Sequence, residues 1–101
     1  MIRGTTPTFK LTLTDTSVDL TQAENVYASF SQANVKIVKT GEDLDVMPQE
    51  VDVYLTQEES LRFTTGTLNI QLNWTYAGGQ RACTNIINVD VGTNLIGKVL
   101  E

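Results

Sequence analysis

The fold of this chain is decided by one stretch of ten residues, TLNIQLNWTY, which spans Thr67–Tyr76. Every second residue from Leu68 onward is large and apolar, and every residue between is polar and uncharged. Side chains of a β-strand point alternately to its two faces, so this pattern predicts a half-buried strand in the middle of a sheet. The inner stripe consists of Leu68, Ile70, Leu72, Trp74 and Tyr76.

Shorter alternating segments lie on both sides of this strand. Paired glycines at Ala77–Gln80 predict a hairpin directly after it. In the returning strand, one parity is shared by Cys83, Ile87, Val89 and Val91. Ile86 beside Ile87 breaks this alternation, which predicts a bulge or burial on both faces. The strand spacing is typical of a β-sandwich. The further predicted strands are Phe9–Leu13, Val26–Ser31, Asn34–Lys39, Val51–Leu55 and Arg81–Val91.

One helical signal interrupts the strands. Thr56 and Glu59 have the spacing of a capping box, in which each side chain accepts a hydrogen bond from the other residue's backbone. The sequence therefore predicts a single helical turn over Gln57–Leu61, at a corner where the chain crosses between sheets. The chain of 101 residues is long enough for one domain. We expect an N-terminal arm (1–7), a β-sandwich domain (8–91) and a C-terminal tail (92–101).

The composition excludes several classes of function. The chain has no His and one Cys, which excludes Ser-His-Asp triads, Cys-His dyads and most transition-metal sites. A net charge of −5 argues against a nucleic-acid partner. No secretion signal and no apolar stretch of membrane-spanning length are present, so we expect synthesis in a cytoplasm and no membrane partner. No catalytic residue, cofactor or metal ligand is predicted.

The acidic residues are concentrated between Thr40 and Leu61, a segment without Lys or Arg. Three interpretations stay open: a site for a hard cation such as Ca²⁺, a contact with a basic partner, or a solvated loop. The EF-hand spacing is absent, which argues against calcium among the three. The acidic residues are Glu42, Asp43, Asp45, Glu50, Asp52, Glu58 and Glu59.

Two regions are candidates for protein contacts. Asn69, Gln71 and Asn73 lie on the outer face of the central strand, which carries no charge. Such a face is typical of a protein interface, or of a Thr-rich face that water covers. The two terminal segments, Met1–Thr6 and Gly92–Glu101, lack a strand pattern. Their candidate contact residues are Ile2, Arg3, Leu95, Ile96, Val99 and Leu100.

Two segments of the chain carry a family resemblance. MIRGTTPT at residues 1–8 and LTQEESLRF at residues 55–63 resemble small immunoglobulin-like structural proteins of Firmicutes phages and prophages. The resemblance implies an immunoglobulin-like sandwich. Together with the strand pattern and the capping box, it leads us to expect an all-β fold, an immunoglobulin-like antiparallel β-sandwich with one short helical turn near residues 57–61. It carries no catalytic residues.

The function that the resemblance implies is that of a non-enzymatic virion component of the tail, baseplate, neck or capsid surface. Such a protein is made in the bacterial host cytoplasm and ends in the virion. Its partners are other phage structural proteins, with further copies of itself among them. The alternative function is a host- or glycan-binding adhesion module, for which Tyr27 and Tyr54 are the outward-facing aromatic candidates.

A chain ending at Gly92 is expected to fold but not to join the particle. The core strands close before that residue, whereas burial of four large aliphatic side chains of the tail contributes about 6–12 kcal/mol before ordering costs. Thermal unfolding and the protein content of purified particles measure the two effects. Unfolding of the shortened chain, or its normal incorporation, would contradict this prediction.

Overall fold

The computed structural model describes residues 1–14, 17–84 and 86–93, which form two antiparallel sheets. The architecture is all-β, as predicted, and consistent with a β-sandwich. The smaller sheet has the order β1-β5-β4, built from β1 (Thr8–Thr12), β5 (Glu50–Tyr54) and β4 (Leu44–Met47). The larger sheet has the order β3-β2-β6-β7, and β8 also pairs with β6. It contains β2 (Asn25–Gln32), β3 (Val35–Thr40), β6 (Gly66–Thr75), β7 (Arg81–Cys83) and β8 (Ile87–Val91).

Strand β6 forms the middle of the larger sheet and supplies much of the core. Leu68 and Ile70 are fully buried, and Trp74 keeps only 4% of its surface exposed. The indole N–H of Trp74 donates a hydrogen bond to the Tyr76 hydroxyl at 3.0 Å, so its single polar atom is satisfied. The predicted inner stripe is therefore confirmed, because its residues from Leu68 to Trp74 face the opposite sheet.

The smaller sheet closes the core from the other side. Leu11, Val51 and Val53 are buried there, as their alternation predicts. The rings of Phe9 on β1 and Phe30 on β2 lie 5.4 Å apart and join the two sheets directly. Contacts of this kind bury apolar surface from both sheets, which is the main stabilising contribution of a sandwich core.

The predicted helical corner is confirmed. Helix α1 (Gln57–Leu61) connects β5 of the smaller sheet with β6 of the larger one. The backbone N–H of Thr56 donates to Glu59 Oε1 at 2.9 Å, and the backbone N–H of Glu59 donates to Thr56 Oγ1 at 3.2 Å. Both hydrogen bonds of the capping box are thus present, and they set where the helix begins.

Strand β4 was not predicted from the sequence. Its residues Leu44 and Val46 pair with Val53 and Val51, and both are half-buried at the edge of the core. The strand has four residues with one acidic residue between its two aliphatic ones, so the sequence there favoured an acidic loop. Pairing with β5, rather than the short local pattern, makes it a strand.

The returning segment after the hairpin forms two strands instead of one. Asn73 pairs with Cys83 and Ile70 pairs with Ile87, so three steps along β6 are matched by four on the partner. The predicted interruption is therefore present. The hydroxyl of Thr84 accepts a hydrogen bond from the backbone N–H of Leu72 at 3.1 Å. The backbone N–H of Leu72 therefore keeps a hydrogen-bond partner at the point where the register shifts.

Of the two alternatives predicted at Ile86 and Ile87, the register shift of a bulge is present and burial on both faces is wrong. Cys83 pairs with the outward-facing Asn73 and is exposed. Ile86 and Ile87 are 60% and 39% exposed, because β7 and β8 share the margin of the larger sheet and no other strand of the described residues lies beyond them. A residue is buried on both faces of a sheet only when other strands or helices pack against both faces, and the margin of the larger sheet lacks this packing among the described residues.

Replacement of Trp74 tests the assignment of the two faces of β6. Trp74→Ala is expected to lower the free energy of unfolding by about 3–5 kcal/mol, because it removes a buried aromatic side chain and leaves a cavity. Urea unfolding measures the change. Thr67→Ala on the exposed face of the same strand is the control, with an expected change within about 0.5 kcal/mol. A loss below about 1 kcal/mol for Trp74→Ala would contradict the inward assignment.

Candidate interaction surface

The predicted contact residues of β6 lie together on the outer face of the larger sheet. Asn69 and Gln71 pair with Ser31 and Ser29 of β2, and all four side chains point away from the core. On the far side of β2, the outward-facing residues of β3 continue the same rows. The polar stripe of β6 is therefore part of a larger surface that β3, β2 and β6 form together. Its rows are Thr40–Tyr27–Asn73, Val38–Ser29–Gln71 and Lys36–Ser31–Asn69.

This surface is concave. Two adjoining hollows of about 340 and 310 Å³ share Ser29, Asn73 and Arg81 in their linings. Ser29 and Ser31 are short side chains on β2, which lies between β3 and β6, so the larger side chains on those strands form the walls. We call this surface the outer groove. Its residues are Tyr27, Ser29, Ser31, Lys36, Val38, Asn69, Gln71, Asn73, Thr75, Arg81 and Ile86.

Hydrogen bonds fix the orientation of two amide side chains in the outer groove. Arg81 donates from Nε and Nη2 to Asn73 Oδ1, at 3.3 and 2.9 Å. Gln71 Nε2 donates to the backbone oxygen of Thr84 at 2.9 Å. Neither the Asn73 amide N–H groups nor the Gln71 side-chain oxygen has a hydrogen-bond partner among the described residues. The outer groove therefore presents both donors and acceptors to a bound molecule.

The charges of the outer groove are both positive. Lys36 lies on the β3 side and Arg81 on the β7 side, and both are exposed. None of the lining residues in the described part of the chain is acidic. Val38 is 47% exposed and, like the exposed Ile86, adds apolar surface at the margin. The arrangement suits a partner that brings hydrogen-bonding groups and negative charge.

The acidic segment is divided among different parts of the fold. Glu42 and Asp43 lie in a 3₁₀ turn (Gly41–Asp43), and Asp45 follows on β4; all three are exposed. We call these three residues the acidic corner. Asp52 stands opposite Asp45 on β5, and its Oδ1 is buried without a hydrogen-bond partner among the described residues. Within residues 1–14, 17–84 and 86–93, no group of three ligand residues could hold a metal ion.

Two of the remaining acidic residues form ion pairs. Glu50 pairs with Lys10 at 3.1 Å on the exposed side of the smaller sheet. Glu59 Oε1 accepts a hydrogen bond from Lys39 Nζ at 2.6 Å and so joins β3 to α1. Lys39 is 8% exposed although it lies on the outermost strand of its sheet. A charged side chain that points inward from such a strand hinders pairing with a further strand.

The predicted contact residues Ile2 and Arg3 are attached to the domain. Ile2 forms a parallel bridge with Gly92, and the backbone N–H of Arg3 donates to the Gly92 oxygen at 3.1 Å. The Arg3 side chain donates to the backbone oxygens of Leu61 and Phe63 at the end of α1. Ile2 stays 47% exposed. The predicted contact residues Leu95, Ile96, Val99 and Leu100 lie outside the described residues.

Sequence reasoning identified part of this surface. The outward parity of Asn69, Gln71 and Asn73 was visible in β6 alone, but Lys36 and Arg81 join them through pairing with other strands. The alternation of serines with apolar residues in β2 was the available signal for the floor of the outer groove. The pattern within a single strand does not predict which other strands pair with it.

Comparison with protein-family models, with curated proteins and with solved structures gave no match. Among the described residues, no helix has the length and apolar character that crossing a membrane requires.

The stability of the chain is expected to fall at acidic pH through Glu59. Partial burial alone would raise the pKa of Glu59, but hydrogen bonds from Lys39 and Thr56 and the charge of Lys39 outweigh it and lower that pKa. A lowered pKa stabilises the folded chain above the ordinary value of 4.5, and this contribution is lost as the pH falls through the folded value. Glu59→Gln is expected to lower the free energy of unfolding by about 1–2 kcal/mol at pH 7 and to flatten its decline at acidic pH.

Urea unfolding at a series of pH values measures this effect. Glu58→Gln is the matched control, because Glu58 is an exposed neighbour on the same helix. Equal pH profiles for Glu59→Gln and the unaltered chain would contradict the role of Glu59.

Proposed function

We propose that this chain is a non-enzymatic structural protein of a bacteriophage particle, which acts through repeated protein–protein contacts in the tail, baseplate, neck or capsid surface. One observation carries the proposal: in the outer groove, uncharged hydroxyl and amide groups of β2 and β6 lie side by side, with the exposed cations Lys36 and Arg81 on either side of them. A protein partner can cover the uncharged groups without burying unpaired charge, and acidic groups of that partner can pair with the two cations. The resemblance of residues 1–8 and 55–63 to phage structural proteins supports the same function.

The order of the strands supports an immunoglobulin-like type of sandwich. In variable-type immunoglobulin domains, strands B, E and D share one sheet, and strands C′, C, F and G share the other. Among the described residues, the orders β1-β5-β4 and β3-β2-β6-β7 correspond to these sheets with strands A and C″ left out. The antibody hallmarks differ, because Trp74 lies on the strand that corresponds to F and Cys83 is the single cysteine.

The edges of the larger sheet favour contact through its face. The β3 edge carries the inward-pointing Lys39, and the opposite edge is interrupted between β7 and β8. The inward charge and the interruption each hinder the addition of a strand from another molecule. The outer groove has no such obstacle.

A host- or glycan-binding adhesion module is the second candidate. Tyr27 lines one hollow of the outer groove beside Asn73 and Thr75, which supplies one aromatic ring and several hydrogen-bonding groups. Tyr27 is half-buried, and Tyr54, which is 57% exposed, lies on the smaller sheet. The two rings therefore do not share a surface on which a sugar chain could stack, and protein contact is the better-supported function.

The proposal is tested by the incorporation of variants into particles. Ser29→Arg places a long charged side chain on the floor of the outer groove and is expected to reduce incorporation at least tenfold, which corresponds to about 1.4 kcal/mol of lost contact. Quantitative mass spectrometry of purified particles, produced in a host that supplies the variant as the only copy, measures the reduction. Thr12→Arg on the exposed side of the smaller sheet is the control.

Normal incorporation of Ser29→Arg would contradict the assigned contact surface. Absence of the unaltered chain from purified particles would contradict the function itself. Circular dichroism and thermal unfolding of both variants establish that each one folds.

A further inference from the structure

Two sets of exposed charges on this chain are opposite in sign. The outer groove carries Lys36 and Arg81, and the acidic corner carries Glu42, Asp43 and Asp45. The salt bridges among the described residues join other partners, Lys10 with Glu50 and Lys39 with Glu59. All five charges are thus exposed and lack an ion-pair partner within the described part of the chain.

The hydrogen-bonding groups of the two surfaces are also complementary. Carboxylates accept hydrogen bonds and cannot donate them at neutral pH. The outer groove offers donors in the amide of Asn73, the hydroxyls of Ser29 and Ser31, and the ammonium group of Lys36. A carboxylate in the outer groove would therefore meet both positive charge and N–H or O–H groups.

Within one molecule the acidic corner and Lys36 are held apart. The acidic corner begins after Thr40, at the end of β3, whereas Lys36 lies four residues earlier on that strand. At about 3.4 Å per residue, the strand separates them by about 14 Å and holds them there. An ion pair between the acidic corner and Lys36 therefore requires a second molecule.

We propose that the acidic corner of one copy docks into the outer groove of a second copy, so that copies of this chain join head to tail. This inference rests on the proposed function, since it names the partner that occupies the outer groove. The two contacting surfaces are different, so the interface is heterologous and repeats into a ring or a filament. Exposed charge pairs contribute little individually and are screened by salt, so the contact is weak in solution and gains strength by repetition in a particle.

Sedimentation velocity of the full chain tests this docking. At about 20 mM salt, the weight-average mass is expected to rise with protein concentration up to about 1 mM, the range in which weak contacts are populated. At about 500 mM salt, the chain is expected to be monomeric, because screening then acts over about 4 Å. A monomer at low salt up to that concentration, or association that salt leaves unchanged, would overturn the proposal.

Charge reversal identifies the two surfaces. A corner variant carries Glu42→Lys and Asp43→Lys, and a groove variant carries Lys36→Glu and Arg81→Glu. Each variant alone is expected to associate at least tenfold more weakly than the unaltered chain. A mixture of the two is expected to associate again, because the native corner of one variant meets the native groove of the other.

The control variant reverses two exposed charges elsewhere, with Glu58→Lys and Arg62→Glu, and is expected to associate like the unaltered chain. Circular dichroism establishes that every variant folds. Unchanged association of the corner or groove variant, or a mixture that stays monomeric, would overturn the proposal.

The result is separable from the test of the proposed function. If the unaltered chain stays monomeric while Ser29→Arg is excluded from particles, docking between copies is overturned and another protein occupies the outer groove. If association follows the predicted charge pattern while Ser29→Arg is incorporated normally, docking between copies stands and the particle contact lies elsewhere.

Discussion

The buried stripe of β6 is the constraint on which the other features of this structure depend. Leu68, Ile70, Leu72 and Trp74 must face the smaller sheet, and a shift of one residue would exchange them with the polar side chains on the opposite face. The same burial fixes the pairing with β2 and thereby the position of Ser29 beside Gln71. The outer groove therefore owes its arrangement to the core behind it.

The connection between the sheets depends on a small polar cluster. Glu59 accepts hydrogen bonds from the backbone of Thr56 and from Lys39, so one carboxylate caps α1 and holds the outermost strand β3. Because Lys39 is drawn inward, β3 ends the sheet instead of offering an open edge. The arrangement leaves the outer face of the larger sheet, rather than its edges, as the surface suited to contacts.

The sequence predicted the elements whose signals are local. Each of these signals lies within a few consecutive residues, and the structure confirms the element that it predicts. They are the alternation in β6, the glycines of the hairpin after it, and the spacing of Thr56 and Glu59. Strand β4 was missed because its pairing with β5 makes it a strand. The exposure of Cys83 and Ile86 could not be predicted, because burial depends on which strand ends the sheet. For the same reason, the contribution of Lys36 and Arg81 to the outer groove could not be predicted.

The central claim is that another protein molecule covers the outer groove in the assembled particle. A cryo-electron microscopy reconstruction of a native particle that contains this chain tests it most directly. The account predicts protein density over Ser29, Gln71 and Asn73 in every copy, while the β3 edge stays free of added strands. An outer groove that faces solvent in all copies, with the contacts made elsewhere on the domain, would contradict the account.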